Sequence, residues 1–587
     1  MSGGETAGSR FTRRHVLGGA AAAAGAGILA GPASALARDS SGDPVFSRRL
    51  APFSGDSPVI APGRPFVLAG VRWSAPGSAR IEMRARRRGG PWSRWALASV
   101  SGHGPDRPAG AGLASGQPAR PGHTPDARAG AALAGEPMWF GPADEVQLRS
   151  SDFVTGARVQ FVAAAAVASP LERAALVGRA RPRAGSAALP IAEPVLAAGG
   201  GQPPVIARSA WAGRGHRPAG GPFYGAVNLA FVHHSDNPNG YSAGEVPAMV
   251  LAIYLFHRYG RGWFDIGYNF VVDAFGRIWE ARAGGIDLPV IGAQAGGFNA
   301  VSTGVCMLGT FNSQLPSAAA LDALERLLAW KLPLHGVPAG GRVVVRAAAD
   351  AAAYGPYRNG QRVVVPRIAG HREVDSTDCP GSDLYGHLPV VRGRAAALAG
   401  VPAQCTLTAS AVVVAPGTPV TLSGQLTRPG AGPLPGEPLE LQTVTGLGTT
   451  TTFATVTTAP DGTFSLPLTV TRNVIARALH ANAPVVVSDV VEVGVAPVVT
   501  LALQSTSPLR LTGTITPGKR SITLDVYKLS GPHRHLALSR RVAVRAGKFS
   551  ARLSLGRRAR GRYVVIARSA ADRATLAGHS APVHLTV

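Results

Sequence analysis

The stretch GHREVDSTDCPG (residues 370–381) places two potential metal ligands in one short segment. His371 and Cys379 stand eight residues apart, and Pro-Gly follows the cysteine directly. A neutral imidazole and a thiolate are both good ligands for Zn²⁺. The stretch therefore predicts part of a zinc site, which needs a further ligand from elsewhere in the chain.

The apolar run Leu229–Val232 predicts a buried strand, and it ends in His233 and His234. A histidine at the end of a strand lies at the edge of a sheet, where an active site can form. The residues alone leave open which of the two histidines binds. Three protein ligands would leave the fourth tetrahedral position of zinc to water or substrate, which is typical of a catalytic site.

Four separated motifs of this chain occur in the order and spacing of one known family. They are FVHHSDN (231–237), GWFDIGYNFVVDAFGRIWEAR (262–282), GFNAVSTGVCMLGTF (297–311) and GHREVDSTDCPGSDLY (370–385). Over about residues 203–399 the chain resembles the peptidoglycan recognition protein (PGRP) family, whose fold is shared by the phage lysozyme-type N-acetylmuramoyl-L-alanine amidases. The resemblance implies a PGRP-like α/β domain with a mixed sheet, flanking helices and zinc at the floor of a groove.

The resemblance also implies roles for individual residues. It makes His233, His371 and Cys379 the metal ligands, and it makes Tyr268 and Thr377 catalytic. The implied reaction is hydrolysis of the amide bond between the lactyl group of N-acetylmuramic acid and L-alanine in peptidoglycan. The residues that we expect to line the substrate groove are His234, Glu280, Arg282, Gln294 and Asn299.

Several of these residues have simpler explanations. Tyr268 could be a core tyrosine, Thr377 could hold a turn, and Glu280 with Arg282 could form a surface ion pair. The family usually has a histidine, facing the groove, where this chain has Gln294. An amide keeps the capacity for hydrogen bonds but carries no charge, so this departure bears on substrate contacts and not on the metal.

The N-terminus predicts an export signal over residues 1–37. A twin-arginine pattern at Arg13-Arg14 precedes a weakly apolar stretch, and Ala35–Ala37 offers an A-x-A cleavage site. A membrane anchor is the alternative, but the apolar part is too short to span a bilayer. We therefore expect a secreted, cell-wall-associated protein without a transmembrane anchor.

A β-rich domain is expected next, over residues 38–171, with the alternating pattern of a β-sandwich. Residues 172–202 are rich in Ala, Pro and Gly and predict a linker. Three tryptophans of the β-rich domain could form a face for stacking sugars, although core or edge packing is the usual role of such residues. These tryptophans are Trp92, Trp95 and Trp139.

Helices and strands interleave in the domain at 203–399. A capping box at Ser242 and Glu245 predicts the start of a helix, and Leu321–Trp330 predicts a second one. Between them, the turn Asp273–Gly276 predicts a hairpin. This alternation is typical of an α/β domain.

Residues 400–495 and 496–587 predict two immunoglobulin-like β-sandwich modules, because the sequence repeats. Val420–Leu426 resembles Leu509–Ile515, and Gly462–Leu468 resembles Gly547–Leu553. The chain has 3 cysteines, too few for a disulfide framework in each module. Of these, Cys306 falls in a predicted core strand, and Cys405 falls near a domain boundary.

The chain has a formal net charge of +26. Residues 496–587 are especially basic, which favours contact with anionic wall polymers; an Arg-rich solvated surface is the alternative. Nothing in the sequence has the signature of a nucleic-acid-binding fold, so sequence-specific binding to nucleic acid is not expected.

Three functions compete. The first is an exported zinc amidase, favoured by the full ligand set and Tyr268. The second is a recognition protein that binds peptidoglycan without cleaving it, a reading disfavoured by the presence of Cys379. The third is a wall-attached adhesion protein in which the β modules do the main work.

Overall fold

The computed structural model describes residues 43–74, 79–98, 133–168, 195–196, 201–556 and 560–587. The predicted export signal and most of the predicted linker lie outside these residues. Within the described part of the chain, no helix combines the length and apolarity needed to cross a bilayer.

The N-terminal domain is built around one 19-residue strand. The N-terminal half of this strand pairs with two strands, and its C-terminal half pairs with two others. Further pairings bring the total to eight strands in one hydrogen-bonded sheet. A two-layer sandwich stays a prediction. The elements are β1 (Val45–Arg49), β2 (Phe53–Asp56), β3 (Phe66–Ser74), β4 (Glu82–Arg86), β5 (Ala96–Leu97), β6 (Leu133–Ala134), β7 (Met138–Ala143), β8 (Glu145–Ala163) and the helical turn α1 (Ala164–Val167).

The tryptophans of this domain pack in two ways. Trp139 is buried in a core. The half-buried Trp92 and Trp95 lie against guanidinium groups, with Arg84 4.3 Å and Arg149 4.5 Å from the ring centre of Trp95. Arginines therefore occupy positions over the indole that a stacked sugar would need.

The next domain has the predicted α/β architecture. Its elements are β9 (Val195–Leu196), β10 (Val205–Ile206), α2 (Ser209–Ala212), β11 (Leu229–His234), α3 (Val246–Leu255), β12 (Phe270–Val272), β13 (Ile278–Glu280), β14 (Ser302–Met307), α4 (Ala318–Leu334), β15 (Arg342–Arg346), β16 (Arg362–Pro366), β17 (Ile368–Gly370) and α5 (Ser382–Ala399). Seven strands form a sheet in the order β17-β11-β14-β12-β13-β10-β9. The sheet is mixed, because β12 and β13 form the predicted antiparallel hairpin while β17, β11, β14 and β12 run parallel.

Helices cover both faces of this sheet. On one face α4 and α5 pack together, and Ser317 caps α4 by accepting a hydrogen bond from Ala320 N. On the other face α3 begins after Glu245, whose carboxylate accepts from Ser242 N at 2.8 Å as the capping box predicts. A π-helical turn, Phe256–Gly260, continues α3.

The α3 helix is buried almost all round, not on a single face, because the N-terminal domain covers its outer side. Val67, Leu68 and Val162 of that domain share one apolar core with α3. A Cβ on Gly70 would lie 2.5 Å from Cζ of Phe256, so only glycine lets the two domains approach this closely. The sequence run VPAMVLAIYL indicates this burial, because a helix that is apolar all round is a buried helix.

The described residues of the C-terminal region are rich in β-strands, arranged in four sheets. Residues 404–495 contain β18 (Gln404–Cys405), β19 (Thr408–Ala409), β20 (Val413–Val414), β21 (Thr418–Arg428), β22 (Gly432–Pro433), β23 (Pro438–Thr445), β24 (Thr449–Thr457), β25 (Thr463–Val470), β26 (Val474–His480), β27 (Val486–Val487) and β28 (Val491–Val495). Residues 498–586 contain β29 (Val498–Val499), β30 (Ala502–Thr506), β31 (Leu509–Thr516), β32 (Ser521–Ser530), β33 (His533–Ala543), β34 (Lys548–Leu553), β35 (Arg562–Ser569), β36 (Gly578–His579) and β37 (Val583–Thr586).

The sequence repeat corresponds to the same strand pair in each module. Gly424 on β21 is opposite Phe464 on β25, and Gly513 on β31 is opposite Phe549 on β34. In both pairs a Cβ on the glycine would collide with the phenyl ring, at 2.6 and 2.3 Å from Cζ. The two modules therefore use the same cross-strand glycine–aromatic contact; that they are immunoglobulin-like stays a prediction.

Candidate metal centre

Two neighbouring strands bring the histidines of the predicted site to one edge of the sheet. The β11 and β17 strands are parallel, with Val232 opposite Gly370, and His233 and His371 are the next residues of each chain segment. Their ring centres lie 4.6 Å apart. The loop after β17 then returns Cys379 to the same place, where its Sγ lies 3.6 Å from His233 Nδ1.

The three side chains fit a zinc ion. All three are buried, and their ligand atoms lie within 4.8 Å of one another. A tetrahedral zinc with bonds of about 2.0–2.3 Å holds its ligands about 3.3–3.6 Å apart, close to the separation of Cys379 Sγ and His233 Nδ1. Two imidazoles and one thiolate are also a donor set that zinc prefers, and they leave a fourth position for water or substrate.

His371 is oriented by a carboxylate. Its Nε2 lies 2.9 Å from Oδ2 of the buried Asp375, and that oxygen also accepts from Gly296 N at 2.8 Å. The ring therefore has Nδ1 as the nitrogen that it can offer to a metal. Asp375 was not among the predicted site residues, although an acidic residue four positions after a candidate histidine ligand was a readable signal.

His233 is oriented by an amide. Its Nε2 lies 2.5 Å from Oε1 of Gln294, while Nδ1 points toward Cys379. Gln294 is fully buried, so the structure places it behind the metal ligand and not on an open groove surface as we had expected. The residue that departs from the family pattern thus contacts a metal ligand directly.

Burial controls the charge of the ligands. It lowers the pKa of His233 well below its usual range, and the neighbouring His371 adds to this shift. A neutral imidazole is the form that binds metal. Burial raises the pKa of the Cys379 thiol well above its usual range, although the backbone N–H of His234 donates to Sγ at 3.4 Å. A cation in the site would compensate the thiolate.

His234 turns away from the centre. Its Nδ1 accepts from Phe311 N at 3.4 Å, and its Nε2 lies 4.0 Å from the carboxylate of Asp236. Burial lowers its pKa. Of the two adjacent histidines that the sequence left open, His233 is the one that converges with His371 and Cys379.

Tyr268 lies beside the ligands. Its ring centre is 5.4 Å from that of His233, and the side chain is buried. Burial, and then the nearby Cys306, raises the pKa of the phenol well above its usual range. The phenol therefore stays protonated and can serve as a hydrogen-bond donor. Cys306 is buried as predicted, at the sheet position opposite His233.

Thr377 and Asn299 shape the loops that carry the site. The Thr377 hydroxyl accepts from Cys379 N at 3.2 Å, which fixes the turn before the cysteine. Asn299 Oδ1 accepts from Gln294 N at 2.8 Å and from Ala295 N at 3.0 Å. All three contacts hold backbone in place; a catalytic role for Thr377 stays a prediction.

Glu280 and Arg282 lie on and after β13, three strands along the sheet from β11. The Glu280 carboxylate accepts from Arg208 N at 2.9 Å, and burial raises its pKa. Arg282 is buried and donates to Ile266 O at 2.8 Å. The structure thus gives both side chains partners within the fold, at a distance from the three metal ligands.

The N-terminal domain reaches the surroundings of the site through residues 135–139. Gly135 O accepts from Arg261 Nη2 at 2.8 Å, and Trp139 N donates to Asn237 Oδ1 at 2.7 Å. Asn237 follows the histidine pair closely, and Arg261 follows the π-helical turn after α3. The segment is therefore held at one end by the loop after the π-helical turn and at the other by the loop after β11, the strand that carries the histidine pair.

Glu136 lies within this segment and is buried. Burial and Cys306 contribute most to the raised pKa of Tyr268, and the negative charge of Glu136 is the next contribution. The same charge adds to the raised pKa of Cys379. A carboxylate from one domain thus influences groups of another, which no pattern within the 203–399 region could have predicted.

Part of the chain is similar in sequence to amidases and to peptidoglycan recognition proteins. The sequence profile described as N-acetylmuramoyl-L-alanine amidase matches residues 223–382. Peptidoglycan-recognition protein LB of Drosophila melanogaster is 29% identical over 167 residues, which are 28% of this chain and 60% of that protein. An N-acetylmuramoyl-L-alanine amidase of Sus scrofa is 28% identical over 192 residues, 32% of this chain and 27% of that protein.

Among solved structures, a mutant of Drosophila PGRP-LB in complex with tracheal cytotoxin is 27% identical, with a TM-score of 0.25, and the match covers 31% of this chain and 92% of that one. The match to the LB relative spans less than two thirds of that protein's length. Residues 223–382 therefore match the N-acetylmuramoyl-L-alanine amidase domain, and this part of the chain is similar to peptidoglycan recognition proteins.

Proposed function

We propose that this chain is a zinc-dependent N-acetylmuramoyl-L-alanine amidase that hydrolyses the lactyl–L-alanine bond of peptidoglycan. The observation that carries the proposal is the convergence of His233, His371 and Cys379 in a buried cluster. A domain that only gripped peptidoglycan would not need a complete set of zinc donors beside a protonated tyrosine.

Each side chain has a task in this reaction. His233, His371 and Cys379 would hold the zinc, which lowers the pKa of a bound water to about 7 and polarises a carbonyl. The protonated Tyr268 would donate a hydrogen bond to the amide oxygen as negative charge develops on it. The Thr377 hydroxyl accepts a hydrogen bond from the backbone N–H of Cys379 and so keeps the cysteine in position.

The proposal also covers the location of the protein and the role of the flanking modules. The twin-arginine pattern at Arg13-Arg14 supports export to the cell wall, where peptidoglycan is found. The basic residues of 496–587 would attract anionic wall polymers and keep the enzyme near its substrate. An immunoglobulin-like form of the two C-terminal modules is part of the same proposal.

The test is release of stem peptides from purified peptidoglycan by the full chain. Wild-type protein with zinc should produce new N-terminal L-alanine, whereas chelator or Cys379→Ala should abolish it. Tyr268→Phe, which removes only the hydroxyl, should lower the rate about 10²-fold or more while zinc content is kept. Binding to peptidoglycan without release would favour a recognition protein. Binding to walls that needs only residues 400–587 would favour an adhesion protein.

A further inference from the structure

Gln294 is the end of a short chain of hydrogen bonds whose protons can all be assigned. A backbone carbonyl can only accept, so Ser302 Oγ must donate to Phe298 O, 2.9 Å away. Having used its one proton, the Ser302 hydroxyl must accept from Gln294 Nε2, also at 2.9 Å. The amide oxygen of Gln294 then necessarily faces His233.

This assignment fixes the tautomer of His233. The Oε1 atom of Gln294 can only accept, so the His233 Nε2 that lies 2.5 Å away must carry the ring proton. The lone pair of the neutral ring is then on Nδ1, the atom that points toward Cys379 Sγ. A metal ligand whose far nitrogen is held in this way is both oriented and more basic.

The fold fixes Gln294 in this position. Asn299 accepts from the Gln294 backbone N–H, which holds the loop. On β14, a Cβ at Gly304 would lie 2.6 Å from Gln294 Cγ, so a glycine is needed there to leave room for the side chain. Backbone and side-chain contacts together restrict the amide to one orientation.

From this geometry we infer that Gln294 is a positioning residue, which locks the proton of His233 on Nε2 and aims Nδ1 into the metal site. The inference rests on the proposed function, because it takes the metal to be zinc. The centre then has two different supports: a carboxylate, Asp375, behind His371 and a neutral amide behind His233. The neutral support adds no negative charge to a fully buried site.

The test measures the zinc dissociation constant of the full chain by competition with a chromophoric chelator. Gln294→Met keeps the length of the side chain but cannot accept from the imidazole, so zinc should bind about 10–100-fold more weakly. Gln294→Glu restores an acceptor at the same reach and should recover most of the affinity. A purely structural role would not produce this recovery.

Thr303→Val is the matched control. Thr303 is buried on the same strand as Ser302, and within the described residues its hydroxyl has no hydrogen-bond partner. Its loss should therefore leave zinc affinity unchanged. Gln294→Met with wild-type affinity would overturn the inference, and so would equal weakening by Met and Glu. Wild-type protein that binds no zinc would overturn the proposed function, and this inference with it.

Discussion

The N-terminal domain and the last C-terminal module are both built of β-strands, but they are attached to the molecule differently. The N-terminal domain shares an apolar core with α3 and contacts the loops that follow the π-helical turn and β11. The last module has its own core, formed by residues between Val499 and Leu585. It meets the module before it through contacts such as Asn473 N to Ala574 O, at 2.7 Å.

This difference separates a domain that the fold requires, the N-terminal one, from a module that could serve targeting, the last one. The N-terminal domain has a core of its own but also shares one with the amidase domain, so it cannot be removed without exposing apolar surface. The core of the last module lies within residues 499–585, so that module can be removed. The amidase domain and the N-terminal domain should therefore behave as one catalytic unit. Under the proposed function, the last module should affect where the protein binds and not the rate of peptide release.

The largest expected effect comes from separating the N-terminal domain from α3. Gly70→Val would force a side chain into the ring of Phe256, and overpacking of this kind costs about 1–3 kcal/mol of unfolding free energy. The proposed amidase activity should fall with it, because α3 lies beside the strands that carry the site.

Gly215→Val is the control, since Gly215 is exposed and a Cβ there would meet open space. Thermal unfolding and peptide release should be measured on both variants. An unchanged melting temperature for Gly70→Val would show that the two domains do not share a core.

A pH-dependent effect is expected at Lys331, in the last turn of α4. Its ammonium group donates to Ile286 O at 2.8 Å and to Leu288 O at 2.9 Å, and burial lowers its pKa to about 7. An unfolded lysine titrates near 10.4. The unfolded state therefore binds more protons between about pH 7 and pH 10, and stability should rise with pH in this window.

Lys331→Met removes this titration. The difference in unfolding free energy between wild type and variant should shift in favour of the wild type as the pH rises from 7 to 9. Denaturant unfolding at several pH values measures the shift. Parallel curves for the two proteins would mean that Lys331 keeps an ordinary pKa in the fold.

A smaller effect is expected where the first C-terminal module touches the amidase domain. Arg477 Nη2 lies 2.6 Å from Asp287 Oδ2, but the Asp287 side chain is 36% exposed, so water screens the pair. Arg477 itself is buried and also donates to Gln442 Oε1 at 2.9 Å, so Arg477→Met should cost about 1–2 kcal/mol and leave peptide release unchanged. A loss of activity would place this module in the catalytic unit as well.

The smallest effect on stability is expected on the last module. Arg534 and Arg541 are exposed on β33, and replacing both with Gln should change stability by less than about 0.5 kcal/mol. Co-sedimentation with purified walls should nevertheless weaken, most clearly at low salt. Replacing Arg87 and Arg88 of the N-terminal domain removes the same charge and should not weaken it. Equal loss from both pairs would mean that overall charge, and not this module, attracts the wall.

The sequence predicted what local chemistry can encode. His371 and Cys379 share one short motif, and the hairpin at 273–276 and the start of α3 have recognisable turn and capping residues. The partner of His233 could not be found in this way, because Gln294 is 61 positions away and only the folded sheet brings it close. Glu136 comes from another domain, so no motif within the amidase region contains it.

The most direct test of the proposed chemistry is mass spectrometry of the products that the zinc-loaded full chain releases from peptidoglycan. We predict stem peptides that begin with a free L-alanine, together with glycan strands whose N-acetylmuramic acid carries a free lactyl carboxylate and whose reducing ends are unchanged. New reducing ends, cleavage within the stem peptide, or products that still form in Cys379→Ala would contradict a zinc amidase.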